Sequence, residues 1–141
     1  MACSTNYLWR GETTWFCCGP AWGPCGSAGG GACGGCRSDS NHGAWPNASA
    51  ACWDITRPDA CGEGNMPRRG CGAGMRVRHQ CTNAAVCFTI RDCGPRTRSF
   101  CGEQACCGGT CRVNRVLDLT PKAFSAIGSL SSGKLPVWIY E

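Results

Sequence analysis

The stretch Val116 to Ile127, VLDLTPKAFSAI, predicts a short strand followed directly by a short helix. Its first four residues are apolar apart from one acid, which suits the buried end of a strand. Thr120 can serve as the helix N-cap, and Pro121 occupies the first helical position, where its missing N–H costs nothing. Three apolar residues then recur at the spacing of one buried helix face: Ala123, Phe124 and Ile127. We expect Gly128 to end the helix in a left-handed conformation.

Asp118 is the only charged residue in the strand part of this stretch. A carboxylate just before a helix N-terminus can interact with the helix dipole or lie solvated on the strand. It can also be a catalytic or ligand-binding acid, whose pKa depends on its surroundings. The position of Asp118 alone favours a structural role, but the motifs in the rest of the chain favour a functional one.

Cysteine dominates the composition, with 16 cysteines and 21 glycines in 141 residues. This density is typical of a disulfide scaffold in a secreted protein, because cross-links replace part of a large core. Each disulfide typically adds ~2–4 kcal/mol of stability. The alternative is a metal site, since Cys33 and Cys36 have zinc-knuckle spacing. With two histidines and no second spaced pair, we expect disulfides, no metal and no cofactor.

The remaining composition narrows the compartment and the partners. The N-terminus has no apolar signal segment, so we expect the mature form of a secreted, monomeric protein with an added Met1. No apolar run approaches the length of a membrane span. The net charge of +5 allows mild attraction to an acidic polysaccharide or cell wall. The sequence lacks the aromatic-interleaved basic stripe expected of nucleic-acid binding.

Several short stretches predict β-strands. Gly74 to His79 (GMRVRH) alternates apolar and polar residues, and Val86 to Ile90 alternates again, so the two predict a hairpin. Two further strands are expected near the ends of the chain: Thr13 to Cys18 (TTWFCC) and Leu135 to Tyr140 (LPVWIY).

Long cysteine-rich segments join these strands. We expect stapled loops or cross-linked excursions at residues 19–35, 37–70 and 96–114. Several short strands, one small helix and such loops indicate a small β-barrel. The predicted organisation is a variable N-terminal lead-in at residues 1–10 and one barrel domain at residues 11–141.

The order of these motifs resembles a known family. TTWF, GACG and IRDCGP are followed by LDLTPKAFSAIG and SGKLPVWIY. This order is similar to the double-psi β-barrel of expansins, rare lipoprotein A-like proteins, barwin-type proteins and family 45 glycoside hydrolases, and it looks closest to the first domain of microbial expansins. The resemblance implies a mainly β, six-stranded double-psi β-barrel with one or two short helices and long disulfide-stapled loops.

The resemblance also implies a site. Thr14, Asp92 and Asp118 would converge at the floor of an open groove that takes a polysaccharide chain, with Asp118 as the key acid. The alternatives are a turn-forming role for Asp92 and a simple strand role for Thr14. Four tryptophans are candidates for stacking on sugar rings, although packing beneath the disulfide loops is an equal alternative: Trp15, Trp22, Trp45 and Trp53.

Two departures from the family bear on activity. TTWFCC lacks the aspartate that family 45 cellulases carry in the first strand, which disfavours ordinary hydrolysis. Asp92 could substitute only if its carboxylate lies ~6.5–9.5 Å from that of Asp118. Expansins also carry a β-sandwich binding domain after the barrel, and the sequence here stops at Glu141.

Three functions follow, in this order. The first is a secreted protein that binds or loosens cell-wall polysaccharide, either β-glucan or peptidoglycan. The second is a carbohydrase, either family 45-like or a lytic transglycosylase, in which Asp118 is the acid. The third is a barwin-like defence protein or protease inhibitor, whose disulfides would resist proteolysis.

Overall fold

The strands of the protein close into a barrel. The computed structural model describes residues 3, 5–45, 48–49, 69–94 and 115–141. The loop predicted at 96–114 and most of the excursion predicted at 37–70 lie outside these residues. Six strands form the barrel: β1 (Tyr7–Trp15), β2 (His42–Trp45), β5 (Gly74–His79), β6 (Ala85–Cys93), β7 (Arg115–Leu119) and β8 (Leu135–Tyr140). A separate two-stranded ribbon contains β3 (Ala48–Ser49) and β4 (Arg69–Gly70).

The strand order around the barrel is β1-β7-β2-β6-β5-β8. The pairs β1–β7 and β2–β6 are parallel, and the other four pairs are antiparallel. Parallel neighbours need long crossover connections, which the cysteine-rich segments of this chain provide. The prediction of a mainly β, six-stranded barrel is confirmed, and its topology is double-psi-like.

Fully buried apolar side chains fill the barrel. The strands alternate as predicted: in β5 and β8 every second residue is buried. The largest members of the core are Trp45, Phe124, Met75, Ile90, Leu117, Leu119 and Ile139. Burying each such side chain is worth about 1.5–3 kcal/mol, so this cluster is a main source of stability alongside the disulfides.

Two strand predictions need correction. β1 begins at Tyr7 rather than Thr13, and it ends at Trp15 rather than Cys18. Its early residues pair with β8, from Tyr7 opposite Tyr140 onwards, so a contact with the far end of the chain extends the strand. β2 falls in a stretch expected to be loop. Its four residues are held between β6 and β7, and such non-local pairing overrides weak local propensity.

The helix forms as predicted but ends differently. α1 (Pro121–Ser125) has Pro121 at its start and Ala126 as its C-cap, and Gly128 is not left-handed. Gly128 instead packs closely against Leu135, because a Cβ there would lie 2.6 Å from a terminal methyl group of that side chain, which would have to shift. Thr120 occupies the N-cap position but makes no side-chain cap bond.

The ten cysteines in the described ranges are all disulfide-bonded. The four bridges with both partners described are Cys3–Cys87, Cys17–Cys25, Cys18–Cys36 and Cys33–Cys71. The Cys33 and Cys36 sulfurs are therefore disulfide sulfurs, bonded to different partners, rather than thiolates of a zinc knuckle. The expected stapling of the 19–35 loop is confirmed.

Candidate functional site

Four neighbouring strands carry the predicted site residues side by side. Asp118 of β7 lies opposite Thr14 of β1 on one side and Ala44 of β2 on the other. Ala44 in turn lies opposite Asp92 of β6. We call these four positions the acid row: Thr14, Asp118, Ala44 and Asp92. The Cα atoms of its two acids are two strand spacings, about 9–10 Å, apart, with only a methyl side chain between them.

The resemblance placed Thr14 and Asp118 together, and the structure brings them into contact. The Thr14 hydroxyl donates a hydrogen bond to Asp118 Oδ1. Asp118 is only 9% exposed, because both faces of β7 are covered: Leu117 and Leu119 on one face and Val116 on the face of Asp118 are all in the core. A ligand would therefore reach an edge of this carboxylate rather than a fully open acid.

A hydroxyl network fixes the end of β7 beside β2. Thr120 Oγ1 donates to Ser40 O at 2.6 Å and accepts from His42 N at 3.2 Å. The Thr120 backbone N–H also donates to His42 O, at 3.0 Å. These bonds explain why Thr120 does not cap α1: its hydroxyl ties the two strands that carry Asp118 and Ala44.

Asp92 anchors a loop. Its Oδ1 accepts from the backbone N–H groups of Ala32 and Cys93, each at 2.8 Å. Gly31 makes this approach possible, because a Cβ there would lie 2.5 Å from Arg91 O and 3.3 Å from Asp92 Cβ. The turn-forming interpretation therefore accounts for Oδ1 of this carboxylate. The spacing within the acid row still permits the separation of ~6.5–9.5 Å that inverting hydrolysis needs.

The tryptophan candidates divide into different environments. Trp45 is fully buried in the core, so the structure corrects the stacking interpretation in favour of packing. Trp15 is half-buried, and its Nε1 donates to Leu130 O at 3.1 Å. Trp22 is 39% exposed on the stapled loop. Trp53 lies outside the described residues.

Both histidines are structural acceptors. His79 Nδ1 accepts from the backbone N–H groups of Cys81 and Thr82, and burial lowers the pKa of this imidazole. His42 Nδ1 accepts from Arg37 N at 3.0 Å. Partial burial, and secondarily the positive charge of Arg91, lower the pKa of His42. His42 is thus part of β2, within the stretch of residues 37–70 that was expected to be a cross-linked excursion.

Sequence reasoning missed one buried acid. Glu12 of β1 is 8% exposed, and its carboxylate lies 3.7 Å from Lys134 Nζ. No local pattern marked it, because the strand that contains it was expected to begin one residue later. Within the part of the chain that the structure describes, no group of three acids, histidines or cysteines is placed to hold a metal ion. No helix in those same ranges is long and apolar enough to cross a membrane.

Among the comparisons with known proteins, the search of solved structures found proteins of similar fold. No family model and no curated protein sequence matches the chain. Among solved structures, the Streptomyces papain inhibitor matches with a TM-score of 0.50 and 18% identity, covering 94% of this chain and 93% of the inhibitor. That match supports the same barrel architecture.

Two structures of a Clavibacter michiganensis expansin also match at 18% identity. The apo form has a TM-score of 0.49, and a point mutant in complex with cellohexaose has 0.48. Each alignment covers 92% of this chain and 48% of the expansin, so the chain spans about half the length of that protein.

Proposed function

We propose that this protein is a secreted, disulfide-braced barrel that binds a cell-wall polysaccharide, either β-glucan or peptidoglycan, at the acid row without ordinary hydrolysis. The observation that carries the proposal is the contact between Thr14 and Asp118, on two of the four adjacent strands of the acid row. In this role Asp118 accepts a sugar hydroxyl at its exposed edge, and Thr14 fixes the orientation of the carboxylate. Carboxylates suit this task because each oxygen accepts hydrogen bonds from hydroxyl groups.

The engagement of the nearby acids favours binding over hydrolysis. Inverting hydrolysis needs one acid and a second carboxylate that activates water. Asp92 Oδ1 holds the backbone of the stapled loop, and Glu12 lies beside Lys134. Asp118 is therefore the one acid of the row that we assign to the ligand. The ten bonded cysteines support secretion, because such bridges persist in oxidising compartments.

Binding to insoluble polymers tests the proposal. We expect the wild type to co-sediment with at least one of cellulose, chitin and peptidoglycan. Asp118→Asn, which keeps the shape and removes the charge, should lower the bound fraction, whereas Asp39→Asn should not. Asp39 is a suitable control because it is engaged with Arg37 near the protein surface. Absence of binding to all three polymers would refute the proposal.

A single acid, Asp118, is also compatible with lytic transglycosylation. In that reaction the sugar's own hydroxyl closes onto the anomeric carbon, so no water-activating base is required. Reducing-end assays and mass spectrometry for anhydro products separate this outcome from binding. A complete lack of new products would exclude both this reaction and hydrolysis.

A third candidate function, protease inhibition, is supported by the stapled loop at residues 19–35. Trp22 and Cys25 exchange two backbone hydrogen bonds of 2.9 Å, and the Cys17–Cys25 bridge closes the same loop. An exposed side chain on such a preorganised loop binds a cleft with little ordering cost. The Streptomyces protein of similar fold is named as a papain inhibitor. Inhibition of papain-type proteases should be lost in Trp22→Ala but kept in Tyr7→Ala, and no inhibition at micromolar concentration would exclude this role.

A further inference from the structure

The outer surface of the barrel carries a second cluster of polar side chains, away from the core. It lies on β5, β8 and β1, on the side of β5 and β8 opposite the buried residues Met75, Val77, Val137 and Ile139. We call it the arginine–aromatic face, and its six residues are Arg76, Arg78, Trp138, Tyr140, Tyr7 and Arg10. Across the three strands, Tyr140 lies between Arg76 and Tyr7, and Trp138 lies between Arg78 and Arg10.

The aromatic rings hold the arginines in place. The Arg78 guanidinium carbon lies 4.8 Å from the Trp138 ring centroid and 5.2 Å from that of Tyr140. Arg76 lies 5.8 Å from the Tyr140 ring. Tyr7 meets Tyr140 edge-on at 6.0 Å. Cation–π contacts of this kind fix the direction of a long side chain before any ligand arrives.

The positive charge of this face is uncompensated. In the described part of the chain, none of the three guanidinium groups lies within 4 Å of a carboxylate, since the ion pairs there join Arg37 to Asp39, Arg69 to Glu141 and Lys134 to Glu12. The Nε–H groups of Arg10 and Arg78 are buried, so a ligand on this face would meet the outer parts of the guanidinium groups. An acidic ligand would compensate this positive charge without displacing an existing ion pair.

We propose that the arginine–aromatic face binds a linear polysaccharide that carries carboxylates, at a site separate from the acid row. The planar guanidinium fork matches a carboxylate with two parallel hydrogen bonds. Tyr7 is 49% exposed and offers an apolar ring surface to the sugar beside the charged groups. The outside of three adjacent strands suits an extended polymer, and the net charge of +5 favours its approach.

The contacts within the face favour a polysaccharide over a nucleic acid. Single-stranded nucleic acids gain much of their affinity by stacking bases on aromatic faces. Here Arg78 already covers faces of Trp138 and Tyr140, so these rings are not free platforms on that side. A nucleic acid would be left with charge contacts to phosphate and one exposed ring, that of Tyr7.

Affinity electrophoresis and calorimetry with polygalacturonate test the proposal on the full chain. We expect binding at low salt that is abolished at about 1 M salt, where the Debye length falls to about 3 Å. Fully methyl-esterified polymer, which has lost its negative charge, should not bind. Arg76→Gln/Arg78→Gln should weaken binding at least about fivefold, because it removes two charge-assisted contacts. The matched control, Arg37→Gln/Lys122→Gln, removes the same charge from exposed positions outside the face.

Three results would overturn the proposal: unchanged affinity in the Arg76/Arg78 variant, an equal loss in the control, or equal affinity for single-stranded DNA. Because Arg78 also packs on two rings, Arg76→Gln alone provides a variant with less effect on folding, and it should still weaken binding. Asp118→Asn should leave polygalacturonate binding unchanged. Failure of the acid row to bind neutral glucan is therefore distinguishable from failure at this face.

Discussion

Thr14 and Asp118 are 104 residues apart in the chain and meet through one hydrogen bond. The threonine positions the carboxylate, and Asp118 is nine-tenths buried, so loss of this donor leaves a desolvated oxygen with one partner fewer. This contact is thus both a structural and a functional element of the acid row.

Thr14→Val tests the contact because valine keeps the shape and removes the hydroxyl. We expect it to lower the free energy of unfolding by about 1–3 kcal/mol, the cost of removing one partner from a buried polar group. Chemical denaturation measures this change. Thr89→Val in β6 is the control, since Thr89 is also half-buried and shows no side-chain hydrogen bond within the described residues. Equal stability of the two variants would contradict the structural role of Thr14.

The lowered pKa values of the two histidines predict how the free energy of unfolding depends on pH. Burial lowers the pKa of His79 below its ordinary value of 6.5, so the unfolded state binds more protons than the native state as the pH falls below 6.5. Stability is therefore fully present above pH 6.5 and is lost as the pH falls toward the native pKa. His42 acts in the same direction.

His79→Asn isolates this contribution. The asparagine Oδ1 can accept the bonds that Nδ1 receives from Cys81 and Thr82, but it does not titrate. Urea unfolding at pH 7.5 and pH 5 should show a smaller loss of stability in the variant than in the wild type. An unchanged pH dependence would show that His79 does not contribute.

At the scale of elements, the stapled loop at residues 19–35 packs against β6 through one close approach, between Gly31 and Arg91. Gly31 has a φ of +80°, and a Cβ there would meet Arg91 O at 2.5 Å. Gly34 has a φ of +79° but has nothing within 4 Å of its Cβ position. Alanine substitution at Gly34 therefore measures the stability cost of the left-handed backbone alone, whereas substitution at Gly31 adds the cost of the close contact with Arg91.

Gly34→Ala should lower stability by about 1–2 kcal/mol through the left-handed backbone alone. Gly31→Ala should cost at least about 1 kcal/mol more, because the backbone must move away from β6. Thermal unfolding measures both, and hydrogen exchange of the Ala32 amide should accelerate only in Gly31→Ala. Equal losses in the two variants would show that the close approach is unimportant.

Two of the strands could be predicted from local sequence patterns alone. GMRVRH and LPVWIY alternate clearly, and β5 and β8 have the predicted bounds. β2, by contrast, has four residues, and its strand form comes from neighbours that are distant in sequence. The bond from Ala32 N to Asp92 Oδ1 spans 60 residues, so no local pattern distinguished a loop anchor from a catalytic acid.

The two candidate surfaces also depend on contacts between residues that are distant in sequence. The family motif placed Thr14 near Asp118, but burial of Trp45 and Glu12 depends on the closed barrel. The alternation of arginines and aromatics runs across three strands rather than along one, so the chain shows no basic aromatic stripe although the surface has one. The arginine–aromatic face could be identified only once the pairing of residues across β5, β8 and β1 was known.

At the scale of the whole molecule, the bridges close loops of very different length. Cys17–Cys25 joins residues 8 apart, whereas Cys3–Cys87 joins residues 84 apart. In the chain-entropy model, removal of the short bridge costs about 2–3 kcal/mol and removal of the long one about 4–5 kcal/mol. Guanidinium unfolding of Cys17→Ser/Cys25→Ser and Cys3→Ser/Cys87→Ser, without reductant, checks this order. A larger loss in the short-loop variant would contradict it.

The meeting of β1 and β8 has a practical consequence. Asn6 and Glu141 exchange two backbone hydrogen bonds, of 3.0 and 2.8 Å. β1 then runs from Tyr7 to Thr14, about 23 Å at the usual rise per residue. Asn6 and Glu141 therefore lie at the same end of the barrel, and a support attached at either residue would leave Thr14 directed away from it.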